Sequence, residues 1–147
     1  MGCHTWFSVP FITDKEKIKQ DALEELNRED FPYSAQEKQM YQYAIEQDLD
    51  DIIVRIAICN SKYSNKGTLH TANGKVYIDC KNYHDAFRCV GYPNIILRSL
   101  KETIDFINTY EFTDDDGNIH KCETSEHTIP TITEFFEKYP DGIITFG

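Results

Sequence analysis

The sequence predicts an α+β fold in a single domain spanning residues 1–147, and three observations carry that expectation. Three capping boxes open helices at Thr13, Ser34 and Thr131. Two turn dipeptides, Asn73-Gly74 and Asp116-Gly117, sit between short β-prone runs and mark antiparallel hairpins. Both chain ends, Cys3 to Ser8 and Ile143 to Phe146, read as strands. The result is four or five helices packed on short hairpins and terminal strands.

In chain order, Trp6, Val9 and Phe11 support the opening strand. The box at Thr13-Asp-Lys-Glu16 begins a helix reaching about Arg28, with Ile18, Ala22, Leu23 and Leu26 on one face. Phe31-Pro32 ends it. Ser34-Ala-Gln-Glu37 begins a second helix. Its stripe runs through Ile45, Leu49, Ile52, Ile53 and Ile56, which predicts helix to about Cys59. The tail IIVRIAI is rich in β-branched residues, so a strand is the alternative there.

The Asn73-Gly74 turn sets His70 opposite Tyr77, Thr71 opposite Val76 and Leu69 opposite Ile78. Alternation then assigns Leu69, Thr71, Val76 and Ile78 to the core face, and His70 and Tyr77 to the outer one. Asn82 caps an expected short helix to Val90, ended by Gly91. Pro93-Asn94 starts another, striped by Ile96, Leu100, Ile104 and Ile107, to about Tyr110. Glu111 to Cys122 forms the second hairpin. The box at Thr131 opens the last helix through Phe135, Phe136 and Tyr139, and Pro140-Asp141-Gly142 turns into the closing strand.

At 147 residues the chain is long enough for a sizeable core. The formal net charge of −10 repels phosphate backbones at long range, which disfavours general nucleic-acid binding. No apolar run approaches a bilayer span and no signal peptide is visible, so the expectation is no membrane and a cytoplasmic setting. Five cysteines without a CxxC pair disfavour a disulfide framework. Nucleophile-elbow, Walker, dinucleotide-binding and HExxH motifs are absent. The sequence therefore favours a binding protein over an enzyme.

Unusual residues concentrate between Asp79 and Arg98, which holds two of the four arginines and two of the five cysteines. On the expected 82–90 helix, His84 and Arg88 lie one turn apart near an N-terminus that favours anions. His70, Tyr77, His84, Arg88 and Tyr92 form the expected ligand-binding set. Arg88 would grip a phosphate and the tyrosines would stack a base. A catalytic alternative uses His84 as base, Arg88 as anion clamp and Asp85 beside them, in a small hydrolase or nucleotide-processing enzyme. A zinc-stabilised structural domain is the other alternative, with Cys80, His84, His120 and Cys122 as the four ligands. The run Asp114-Asp115-Asp116-Gly117-Asn118 lacks the acid a calcium loop needs where Ser125 stands, so it reads as an acidic turn.

The ends Gly2-Cys3-His4-Thr5-Trp6-Phe7 and Tyr139-Pro140-Asp141-Gly142-Ile143 resemble those of small uncharacterised proteins encoded by bacteriophages. The resemblance implies an accessory factor in the host cytoplasm that inhibits a host defence protein. Sequestering a small phosphorylated ligand is the companion expectation.

Overall fold

The computed structural model describes residues 2–30, 32–83 and 85–147, with the backbone alone for Gly2 and Cys3. Its strands are β1 (Gly2–Cys3), β2 (Thr5–Ile12), β3 (Leu69–Ala72), β4 (Lys75–Asp79), β5 (Cys89–Val90), β6 (Glu111–Thr113), β7 (Ile119–Lys121) and β8 (Ile143–Phe146). Its helices are α1 (Lys15–Leu26), α2 (Ala35–Glu46), α3 (Asp50–Ala57), α4 (Leu100–Thr109) and α5 (Thr128–Lys138). The strand pairings are antiparallel and the fold is α+β. Among the described residues no helix is long and apolar enough to cross a membrane. The chain divides into two compact units, Pro10–Ile78 and a second made of Met1–Val9 with Asp79–Gly147.

The Pro10–Ile78 unit is built on α1, α2 and α3. Ile18, Ala22 and Leu26 of α1 meet Ile53, Val54, Ile56 and Ala57 of α3 in an aliphatic core closed by Ile12, Ile45, Tyr63 and Val76. Two carboxylates of α1, Asp21 and Glu25, are buried in this unit. Asp21 accepts hydrogen bonds from Lys62 and from the Tyr63 hydroxyl, while Lys17 donates to that hydroxyl at 3.1 Å. Asn60 donates to the Asp21 carbonyl and to Glu24. A buried charge held by several donors keeps its ionised form, and here it ties α1 to the turn after α3.

The helix expected from Ser34 to Cys59 is two helices. Ser34 caps α2 as its box predicts, accepting from the Glu37 amide at 3.2 Å. The chain then stops at Asp48, in the left-handed region at φ 55°. The Leu49 amide donates to the Ala44 carbonyl and the Asp48 amide to Ile45, a Schellman ending with Asp at the position usually held by glycine. Lys19 holds the Asp48 carboxylate at 2.6 Å. The alternative of a strand over Ile52–Cys59 is overturned, since α3 covers Asp50–Ala57. Helix α1 also starts one residue late: Asp14, not Thr13, accepts from the Glu16 amide.

The β3–β4 hairpin has the expected register, with His70 opposite Tyr77 and Thr71 opposite Val76. Asn73 and Gly74 both adopt positive φ, 52° and 71°, as the two-residue turn requires. The expected core face is not observed, because Val76 and Tyr77 are both buried while Thr71 is exposed. Val-Tyr-Ile is a continuous apolar run, the pattern of a strand covered on both faces.

In the other unit the core is aromatic. Phe7 meets Phe135 edge-on at 5.0 Å, with Tyr83, Phe87, Leu97, Ile132 and Ile144 around it. Thr5 to Ser8 of β2 pairs with β8, and β1 pairs with β5. The expected helix from Asn82 to Val90 is absent: a short 3-10 turn covers Lys81–Tyr83, and β5 begins at Cys89. Four carbonyls of the segment are instead taken by groups outside it. Ala86 accepts from Thr128, Phe87 from Thr5, Arg88 from the Glu123 amide and Val90 from Tyr110. Asp85 sits at φ 57°, its carboxylate accepting from the Thr5 amide and facing the His4 ring at 3.2 Å.

Gly91 follows at φ 100°, where a Cβ would fall 2.5 Å from the Phe112 ring. The helix expected from Pro93 begins only at Leu100, because Leu97 is drawn into a strand-like bridge with Ile144. Ser99 caps it, accepting from the Glu102 amide, while the Glu102 carboxylate accepts from the Arg98 amide. Helix α5 starts at Thr128, three residues before the expected box, with Pro130 tolerated in its first turn. The β6–β7 hairpin forms as expected.

Candidate ligand-binding site

The expected site residues do not assemble as a described set. His70 and Tyr77 pair in the Pro10–Ile78 unit, and Tyr77 is 5 % exposed. Arg88 and Tyr92 belong to the other unit, where both are exposed and Tyr92 has φ 49°. His84 lies outside the described residues. Of the expected zinc ligands, burial pushes the Cys80 thiol up, His120 Nε2 lies 2.7 Å from Asp114, and Cys122 Sγ lies 3.0 Å from Cys89 Sγ. Among the described residues no three His, Cys, Asp or Glu side chains gather as a metal would require. The acidic turn is an internal lock: Asp114 accepts from the Asp116 and Asn118 amides. His120 foremost, then those amides, holds its carboxyl below the usual range.

A different site emerges in the Pro10–Ile78 unit. A cavity of about 410 Å³ is lined by Glu25, Arg28, Pro32, Tyr33, Tyr41, Ile52, Arg55, Ile56 and Cys59. Helix α3 and the turn after it supply one wall, with Ile52, Arg55 and Ile56 on the helix and Cys59 just past its end. The second wall is Tyr33 against Tyr41, edge-on with centroids 5.5 Å apart. The end of α1 supplies Glu25 and Arg28. The volume falls in the range of small-molecule sites, roughly 300–1,000 Å³.

The charges at this cavity are unequal. Glu25 is buried and paired to Arg28 Nη1 at 3.1 Å, and Arg28 Nε also meets the exposed Asp30 at 2.8 Å. Arg55 is exposed and has no ion pair among the described residues. A chain of net charge −10 thus places two of its four arginines at one apolar, aromatic cavity, one of them without a carboxylate partner among the described residues. Burial, with Glu25 adding to it, pushes the Cys59 thiol up, so it stays protonated and weakly nucleophilic. Among the described residues no histidine lines the cavity.

The sequence does not display this site as a cluster, because its parts are spread from Glu25 to Cys59. One signal was present: Arg55 interrupts the apolar run IIVRIAI, placing a guanidinium on an exposed position between the buried Val54 and Ile56. A second groove, between α1 and α2, is lined by Glu16, Lys19, Gln20, Leu23, Gln42, Ile45 and Glu46 and offers no aromatic wall. No family model, curated protein or solved structure matches this chain.

Proposed function

We propose that the chain is a non-catalytic binding protein whose α1–α2–α3 cavity holds a small phosphorylated ligand with a planar or apolar body. The observation that carries this reading is the Arg55 guanidinium, without an ion pair among the described residues, at the cavity that Tyr33 and Tyr41 also line. A guanidinium fork matches phosphate geometry with two parallel bonds. Arg28 is a second donor, since its exposed Asp30 partner is a weakly held one that a phosphate displaces. Tyrosines at contact distance supply a face for a ring. The lining offers neither a general base nor an activated nucleophile, because Glu25 is committed to Arg28 and Cys59 is protonated.

Thermal melting against a panel of nucleoside monophosphates and aryl phosphates tests this. A ligand at a hundred times its Kd stabilises by about 2.7 kcal/mol, which raises Tm by roughly 5–10 °C. Arg55→Ala removes the rise while leaving the ligand-free Tm within about 2 °C, as a solvated surface change should. A panel in which nothing shifts Tm, or a shift that survives Arg55→Ala, rejects the cavity. One observation favours a second reading, inhibition of a host protein: Met40 and Tyr43, one turn apart on α2, are 66 % and 60 % exposed. Stoichiometric capture of one host protein, lost in Met40→Asp but kept in Arg55→Ala, selects that reading.

A further inference from the structure

Cys89 and Cys122 are brought together by the strand register. Arg88 and Glu123 form an antiparallel bridge and exchange both amide bonds, at 3.1 and 2.7 Å. In an antiparallel ladder the next facing pair is the one without such bonds, where side chains approach most closely. That pair is Cys89 and Cys122, and their sulfurs are 3.0 Å apart, about 1 Å more than a disulfide bond. The backbone spacing at such a position, about 4.5 Å between Cα atoms, already lies inside the range a disulfide spans. Closing the bond therefore needs side-chain rotation and no backbone movement.

The two thiols are unequal. Cys89 is 1 % exposed among Phe7, Tyr83 and Phe87, whereas Cys122 is half-buried at the strand end. The hydrogen bond with Cys89 holds the Cys122 thiol below its ordinary range, against the opposing effect of burial. Cys59 and Cys80 are both pushed up by burial. The more accessible sulfur of the pair thus has a second thiol in contact behind it, an arrangement of attacking and resolving cysteines.

We propose that Cys89 and Cys122 are a redox modification site at which hydrogen peroxide closes a reversible disulfide. The Cys122 thiolate attacks one peroxide oxygen, the O–O bond breaks, and hydroxide leaves to take a proton as water. The resulting sulfenic acid, Cys122 S–OH, is attacked by Cys89. The S–S bond forms, the S–O bond breaks, and the Cys89 proton leaves with the hydroxyl as a second water. Two thiols are oxidised by two electrons and one peroxide is reduced. A dithiol such as dithiothreitol returns both thiols by exchange.

The test is peptide mapping of the full-length chain, treated with peroxide and alkylated without reduction. Each of the five cysteines falls in a different tryptic peptide: 1–15, 56–62, 76–81, 89–98 and 122–138. The expected result is a loss of two hydrogens in intact mass, reversed by dithiothreitol, with peptides 89–98 and 122–138 joined. Cys122→Ser abolishes the loss and Cys3→Ser leaves it unchanged. Cys3 is the decisive control, because its backbone is the partner of Cys89 in β1. A bond mapped to Cys3, Cys59 or Cys80, a disulfide between two chains, or Cys122 oxidised to sulfinic acid while Cys89 stays reduced overturns the proposal.

Discussion

Around Leu26 and Val54 the packed side chains are aliphatic and come from neighbouring helices, whereas around Phe7 they are aromatic and come from both ends of the chain. In the helical unit orientation is fixed by a buried ion, Asp21, with donors from Lys62 and Tyr63. In the other unit it is fixed by edge-on rings and by side chains that seize backbone carbonyls, as Thr5, Thr128 and Tyr110 do. Aliphatic side chains pack without strong angular preference, so a polar hub supplies the direction. Aromatic pairs carry direction of their own. The accessible charge follows the same division: the helical unit spends its arginines on a cavity, while the aromatic unit places paired thiols beside its core.

Removing the central ring tests this division most severely. Phe7 is fully buried with aromatic neighbours on several sides, and Phe7→Ala is expected to cost about 4 kcal/mol of stability. Urea unfolding followed by Trp6, the chain's one tryptophan and a residue of the same unit, measures it. A loss under about 1 kcal/mol would mean that the surrounding rings collapse into the space, and that their mutual geometry is not what holds the unit.

The polar hub gives the counterpart. Asp21→Ala leaves the buried Tyr63 hydroxyl without its acceptor and Lys62, which is 40 % exposed, with Glu24 alone, so the expected cost is that of one unsatisfied buried donor, about 2 kcal/mol. The hub also makes stability depend on pH. Burial pushes the Asp21 carboxyl up, but hydrogen bonds from Lys62 and Tyr63 and the charges of Lys62 and Lys17 outweigh it and hold it below the usual value. A carboxyl depressed in the folded state contributes stability fully above its unfolded value of about 4, and loses it as pH falls through the folded one. Urea midpoints of the native chain should therefore fall more steeply below pH 4 than those of Asp21→Ala. Parallel curves would show that the hub contributes no net charge stabilisation.

Local chemistry was legible in the sequence and long-range chemistry was not. The Asn73-Gly74 register and the Ser34 cap depend on residues within a few positions of one another, and both are observed. Segment 82–90 has a helical pattern, but its carbonyls are claimed by Thr5, Tyr110, Glu123 and Thr128, none of which the segment's own sequence reveals. The break at Asp48 was hidden differently. The apolar stripe resumes in phase beyond it, so periodicity crosses a Schellman turn unnoticed. The cavity joins Arg28 to Arg55 and Tyr33 to Tyr41 through helix packing, which no spacing rule encodes.

The smallest expected effect asks whether the two units differ in their helix ends as well as in their cores. Ser34 caps α2 in the helical unit and Ser99 caps α4 in the aromatic one, accepting from the Glu37 and Glu102 amides at 3.2 and 3.1 Å. Both carry the Ser-x-x-Glu pattern with the serine side chain capping the helix start. Ser34→Ala and Ser99→Ala should each cost about 1 kcal/mol, and aspartate at either position should restore most of it. Equal costs in urea unfolding place the contrast between the units in their cores alone. A Ser99→Ala cost well above that of Ser34→Ala would extend it, for a specific reason. Thr103, buried one turn into α4, donates to the Ser99 carbonyl at 2.8 Å, so loosening this cap also disturbs a side chain inside the unit. Thr103→Ala then decides the matter: if it cancels the excess, the cap acts through that hydroxyl, and if it does not, the two helix starts are governed by their own turns and nothing deeper.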